Sequence, residues 1–285
     1  MKRYYKFAGV ELEISVPDQY QYREDSNLVV FRTEQVTDPH RFSFELVDEL
    51  DPPRGELLVK MPGFLVFEEG ESVSRYIGSV DGGWEYAYIR AWHCGKEHKV
   101  QVKTAESRDA IFGKTVLTTI AAEHLIAQSD GFVFHCSYIN HNGKAILFTA
   151  PSETGKSTQA DLWHNLRDSV IINGDRAAVR LVDGELRAEG IPFSGSSKFC
   201  VDSSLPIEAI VYLAQAPSTT IRRLRGYQAF VRIWEGIFVN TWDRGDLDRV
   251  SALAEKVAGA VPIYYLACTQ DESAVIALEQ VLGTR

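Results

Sequence analysis

The segment from Ala150 to Thr158, APSETGKST, holds the residue types that bind phosphate. A phosphate-binding loop follows the pattern G-x-x-x-x-G-K-S/T, in which consecutive backbone N–H groups curl around the anion and the next helix aims its N-terminal dipole at it. Gly155, Lys156 and Ser157 match, whereas Ala150 stands at the first glycine position and Glu153 lies inside the loop. Gly155 permits close backbone approach, Lys156 bridges β- and γ-phosphates, and Ser157 places its hydroxyl on a magnesium ion. Ser152, Glu153, Thr154 and Thr158 complete the expected nucleotide contacts. Alanine is the smallest replacement for glycine and costs roughly 1 kcal/mol only where φ is positive. Glu153 repels a triphosphate unless it points to solvent, to magnesium or to a substrate hydroxyl.

Phosphoryl transfer also needs a carboxylate at the end of a second buried strand. VIINGDR supplies Asp175, with Arg176 beside it as a substrate contact. Asp175 either binds magnesium, directly or through water, or acts as base on an incoming hydroxyl, and the sequence leaves these roles open. His135, in GFVFHCSY, lies one strand before the loop and is placed to reach the phosphate end. In GIPFSGSSK, Lys198 is a candidate contact to phosphate or carboxylate.

Such residues must be held by a strand, a loop and a helix in that order. KAILFTA is an apolar run suited to a buried strand, and KSTQADLWHNL reads as the helix after it. FVFHCSYI precedes KAILFTA across NHNGK, where Asn-Gly is a strong hairpin signal. SVIING and IEAIVYLAQ read as buried strands, AAVRLV and ELRAEG as a hairpin about Asp183-Gly184, and PIYYLAC as a further strand. YQAFVRIWEGIF, DLDRVSALAEKVAG and DESAVIALEQVL carry helical spacing. Upstream, RFSFELV, ELLVK, FLVFEE, SVSRYIG, WEYAYIRA and HKVQVK alternate with period two between Asp, Pro and Gly clusters, which predicts antiparallel strands. The stretch after Thr104, AESRDAIFGKTVLTTIAAEHLIAQ, predicts one long helix ending near Ser129. The expected fold is α/β with some α+β character: a β-rich region over residues 1–104, then a nucleotide-binding domain over 105–285 built on a mixed sheet with flanking helices.

A chain of 285 residues with 45% hydrophobic content can bury a large core, and a net charge of -9 argues against a general binder of nucleic acid or of anionic membranes. Cys94, Cys136, Cys200 and Cys268 show no paired spacing, and no run has the length of a signal peptide core or a membrane span. The sequence therefore predicts a soluble cytoplasmic protein, compatible with homo-oligomers. WHCGKEH brings His93, Cys94 and His98 together, which reads more simply as a solvated turn than as a zinc site. Arg222, Arg223 and Arg225 read as a solvated strand edge.

Taken together, FHCSYI with its histidine, the hairpin, the strand AILFTA, the loop APSETGKST and the strand ending in NGDR resemble the HPr kinase/phosphorylase family, which shares its nucleotide-binding core with ATP-dependent phosphoenolpyruvate carboxykinases. The resemblance covers about residues 130 to 200. It matches Ser152, Gly155, Lys156 and Ser157 to the family's loop, with Ala150 and Glu153 in place of two glycines. It implies a magnesium-binding or acceptor-side role for Asp175, where the family carries two adjacent aspartates and this chain has Gly174-Asp175, and a phosphate-side role for His135. The activity it implies is an ATP- and magnesium-dependent kinase acting on a hydroxyl of a protein, peptide or small molecule. A nucleotide-binding regulatory or scaffold module is the alternative. A carboxykinase-type lyase would need a set of oxaloacetate-binding arginines that the sequence does not offer.

Overall fold

The computed structural model describes residues 1–18, 26–78, 83–104, 115–193, 195 and 199–283. The protein is α/β, with two nine-stranded sheets and several helices. Its contacts divide the chain into two compact units, Met1–Leu125 and Ile126–Arg285. No helix among the described residues is long and apolar enough to cross a membrane. Lys198 and the first half of the long helix expected after Thr104 lie outside the described residues.

The first unit is built on β1 (Lys2–Phe7), β2 (Val10–Ser15), β3 (Arg32–Thr33), β4 (His40–Val47), β5 (Glu56–Met61), β6 (Phe64–Glu69), β7 (Ser72–Gly78), β8 (Ala87–Cys94) and β9 (Glu97–Lys103), in the order β3-β1-β2-β4-β9-β8-β7-β6-β5. The expectation of antiparallel strands holds from β5 to β9 but fails in the middle, because β4 runs parallel to both β2 and β9. The alternation of side chains is the same in either orientation, so the period-two pattern does not distinguish them.

The WHCGKEH turn is exposed at Gly95, Lys96 and Glu97, as expected of a solvated turn, but its last histidine is not. His98 is buried, lies 3.0 Å from His40 through Nε2 and 3.1 Å from His93 through Nδ1, and stacks on Phe42 with ring centroids 4.1 Å apart. His98 spends its two nitrogens on two different neighbours, so the rings form a chain rather than converging on one metal. Burial, reinforced by His40, holds His98 at about 3, and burial, reinforced by Lys96, holds His40 at about 4. Both depressed values mean that the unfolded imidazoles, ordinarily near 6.5, take up protons that the folded ones refuse. Their contribution is complete above that pH and is lost as the pH falls toward 4. Each unit of depression is worth about 1.4 kcal/mol, less at the half-buried His40. Urea unfolding followed from pH 7 to 4 is therefore expected to show falling stability, with a shallower slope in His98→Phe; an unchanged slope in that variant would remove His98 from the account.

The second unit holds β10 (Gly131–His141), β11 (Lys144–Thr149), β12 (Val170–Asn173), β13 (Arg176–Val182), β14 (Glu185–Glu189), β15 (Ser204–Gln215), β16 (Thr220–Leu224), β17 (Ile237–Phe238) and β18 (Ile263–Cys268). The two long strands serve two sub-sheets each. The C-terminal half of β10 pairs with β11 and β12, and its N-terminal half with β13 and β17. β15 pairs with β14 at its start and, in parallel, with β11 and β18 further on.

The α-helices among the described residues are α1 (Ser26–Val29), α2 (Thr115–Thr119), α3 (Ala122–Gln128), α4 (Lys156–Arg167), α5 (Gly226–Trp234), α6 (Arg244–Ala260) and α7 (Glu272–Leu282). The single long helix expected up to Ser129 is interrupted between α2 and α3, where Ala121 takes φ 56. Ile120, Ala121 and Ala122 are all buried there, so packing overrides alanine's helix preference. The helix expected through YQAFVRIWEGIF stops at Trp234, and Ile237–Phe238 becomes β17. A Cβ at Gly236 would lie 2.7 Å from the Phe134 ring and 2.8 Å from Thr149 Oγ1, so only glycine lets this turn press against β10 and β11.

Candidate functional site

Strand β11, buried from Ala145 to Thr149, feeds the loop, and α4 leaves it with Lys156, Gln159, Ala160 and Trp163 facing inward at helical spacing. Trp163 is fully buried among Phe148, Ile146, Val211 and residues of α7 such as Val275 and Leu278, which fixes the helix start over the strand end. Gly155 caps α4 with φ 114 and no side-chain hydrogen bond, so the first amides of the helix are uncapped by any side chain and face the anion position. Ala150 keeps a negative φ and costs nothing in place of glycine. Glu153 does not: its φ is 64, a left-handed conformation worth about 1 kcal/mol of strain to a side-chain-bearing residue.

Lys156 is buried, and its ammonium donates to the carbonyls of Ala150 at 3.2 Å and Pro151 at 3.3 Å. Burial lowers its pKa, against the pull of Asp175. Ser157 is exposed, and among the described residues its hydroxyl is held by a 3.5 Å contact to the Gly174 carbonyl.

Asp175 sits where β10 changes partner. β12 pairs with β10 as far as Asn173 opposite Tyr138, and β13 resumes with Arg176 opposite His135. Gly174 and Asp175 form the interruption, pinned by the Ser137 hydroxyl donating to the Gly174 carbonyl at 3.0 Å and the Cys136 N–H donating to the Asp175 carbonyl at 3.1 Å. Asn173, fully buried, shapes the bend. Its Oδ1 accepts from the N–H groups of Asp175 and Arg176 at 2.9 and 3.1 Å, and its Nδ2 donates to the carbonyls of Ile191 and Phe193 at 3.1 and 2.7 Å. The segment after β14 thereby comes down over Asp175. A Cβ on Gly195 would lie 2.4 Å from the Asp175 carboxyl carbon.

His135 places Nε2 3.8 Å from Asp175 Oδ1. Its backbone carbonyl accepts from the Thr149 hydroxyl at 2.9 Å, which ties the histidine to the strand feeding the loop. Burial, then Lys156, lowers the His135 pKa against the opposing effect of Asp175, so the imidazole is neutral at pH 7. Arg176 brings Nε within 3.2 Å of Asp175 Oδ2 without hydrogen-bond alignment, and its guanidinium lies over Phe238 at 4.2 Å and Phe193 at 5.2 Å.

The structure thus gathers Gly155, Lys156, Ser157, Asp175, Arg176 and His135 around the start of α4, while Ser152, Glu153 and Thr154 form the outer loop and Thr158 stands in the first turn of the helix. Their chemistry fits a magnesium-bound triphosphate: a buried cation, uncapped amides, a loosely held hydroxyl and a carboxylate beside it. Sequence reasoning missed Asn173, Gly195 and the Phe193 and Phe238 platform. Asn173 carried a signal, standing two residues before Asp175 as an Asx turn requires. The others depend on chain segments distant in sequence.

Comparison with known proteins finds no matching family model and no matching curated protein. Among solved structures the chain is similar to the HPr(Ser) kinase/phosphatase from Coxiella burnetii, with 12% identity and a TM-score of 0.31, covering 53% of this chain and 88% of that one. A likeness that distant assigns no role to any residue.

Proposed function

We propose that the protein is an ATP- and magnesium-dependent kinase that transfers the γ-phosphate to a hydroxyl. The observation that carries this reading is the buried Lys156 at the head of α4, with its ammonium on loop carbonyls and its charge felt by His135. Lys156 and the first amides of α4 hold the phosphates. Ser157 and Asp175 would hold magnesium, which when bound neutralises charge on the phosphate oxygens. His135, neutral at pH 7 and 3.8 Å from Asp175, accepts the proton of the attacking hydroxyl, directly or toward Asp175. Arg176, fixed between two phenylalanine rings, orients Asp175 and offers positive charge to the transferred group.

The acceptor is a hydroxyl of a protein, a peptide or a small molecule. A second reading, a nucleotide-binding module without turnover, is favoured by one observation: Asp175 is flanked by Gly174 rather than a second acid and already faces Arg176 at 3.2 Å. Incubation with γ-labelled ATP, magnesium and hydroxyl acceptors separates the two. Asp175→Asn is expected to lower transfer about 10²- to 10³-fold while leaving triphosphate binding within a few-fold. Binding with no transfer dependent on Asp175 would favour the module, and loss of binding altogether would sink both.

A further inference from the structure

Among the described residues, one cavity of about 460 Å³ lies against the outer phosphate loop and another of the same size lies along α4. One abuts Ser157 and Gly174 and runs along α4, lined by residues such as His164 together with Phe199. The other lies against the outer loop, between Pro151–Thr154 and the end of β15, and no part of the phosphate chemistry uses it. Its floor is an aromatic ladder. Tyr212 and Tyr265 are register partners on β15 and β18, with rings 5.9 Å apart and 14° from parallel. Arg232 lies over Tyr212 at 4.7 Å and Arg222 over Tyr265 at 4.9 Å. The Gln215 side chain spans the mouth, donating to the Thr154 carbonyl at 3.5 Å.

Glu153 lines the same cavity. It is held at φ 64, is exposed, and makes no hydrogen bond or ion pair with a described residue. Its carboxylate is therefore open to a ligand in the cavity. A carboxylate is wrong for phosphate oxygens and right for a pair of hydroxyls, since each hydroxyl donates to it.

Resting on the reading of the loop as a triphosphate site, we propose that this cavity takes the nucleoside, with its base against the Tyr212 and Tyr265 ladder and its ribose 2′- and 3′-hydroxyls donating to Glu153. The loop is the common wall of phosphate site and cavity, so a triphosphate seated on α4 leads its sugar past Glu153. The Arg232 guanidinium, laid over Tyr212 at the cavity wall, suits the face of a flat heterocycle, and stacking of this kind tolerates any base. Selectivity then falls on the sugar.

Calorimetric titration of the whole protein with magnesium and three probes, ATP, 2′,3′-dideoxy-ATP and inorganic tripolyphosphate, tests this. The wild type is expected to bind ATP about tenfold more tightly than the dideoxy compound, the value of a charge-assisted hydrogen bond or more. Glu153→Gly, which also relieves the positive φ and so keeps or raises the thermal midpoint, should reduce that preference to within about twofold while retaining tripolyphosphate binding. Equal affinity of the wild type for ATP and dideoxy-ATP overturns the proposal without any variant. A preference that persists in Glu153→Gly removes Glu153 from it. Tripolyphosphate binding as tight as ATP binding leaves the phosphate loop standing and places the nucleoside outside the cavity. Failure of all three probes to bind brings down the phosphate loop as well.

Discussion

Lys156→Ala is expected to lower phosphoryl transfer about 10²- to 10³-fold, with a matching loss of affinity for magnesium tripolyphosphate. Lys156 is buried at the head of α4, and its ammonium reaches the loop carbonyls of Ala150 and Pro151. A truncated side chain leaves the helix amides in place, so residual binding from backbone alone persists at high ligand concentration. Folding should not suffer. Burial works against the ammonium, as its lowered pKa reflects, so removing it holds or raises the thermal midpoint while activity collapses. Paired thermal melts and initial rates check this, and a variant that transfers phosphate at the wild-type rate would overturn the site assignment.

Asn173→Ala is expected to be the most damaging single change near the acidic bend, costing about 2–4 kcal/mol of stability. The side chain is fully buried and makes four hydrogen bonds, to the N–H groups of Asp175 and Arg176 and to the carbonyls of Ile191 and Phe193. Alanine removes all four hydrogen bonds, one of them to the buried Ile191 carbonyl and three to part-buried groups. Asp175 would lose the turn that aims it, so transfer should fall in the fraction that stays folded, while tripolyphosphate affinity, set by the loop and α4, changes little. Urea unfolding reads the first effect and single-turnover transfer the second. Loss of transfer without loss of stability would mean that Asn173 touches substrate rather than shaping the bend.

The strand, loop and helix around Lys156 were legible in the sequence because each is specified locally. AILFTA has no charged residue, and a single hydroxyl at Thr149, to contradict a buried strand, and Gly155 announces the sharp entry into α4. The hairpin before it was legible for the same reason: Asn142 and Gly143 take φ 54 and 80, the left-handed turn that Asn-Gly encodes. What was not legible depends on distant pairing. β4 lies parallel to β2 and β9, yet its alternation would serve an antiparallel partner equally well. Gly236 reads as an interior helix residue until the Phe134 ring is found 2.7 Å from where its Cβ would be. His98 reads as part of a solvated turn until Phe42 and His40 close on it from a strand far away in sequence. At the site, Asp175 and His135 were found by residue type, whereas their 3.8 Å separation follows from β10 changing partners between Asn173 and Arg176.

The seating of Lys156 on the Ala150 and Pro151 carbonyls makes anion capture an exchange rather than an addition. To draw the ammonium outward, an incoming anion must outbid two neutral acceptors that are already in place. A small, singly charged anion gains only part of what it displaces. A polyphosphate meets the helix amides and the ammonium together, and its charge-assisted bonds exceed those they replace. On the proposed reading the loop would set a threshold on charge and length, passing over small anions and answering to chains of linked phosphates.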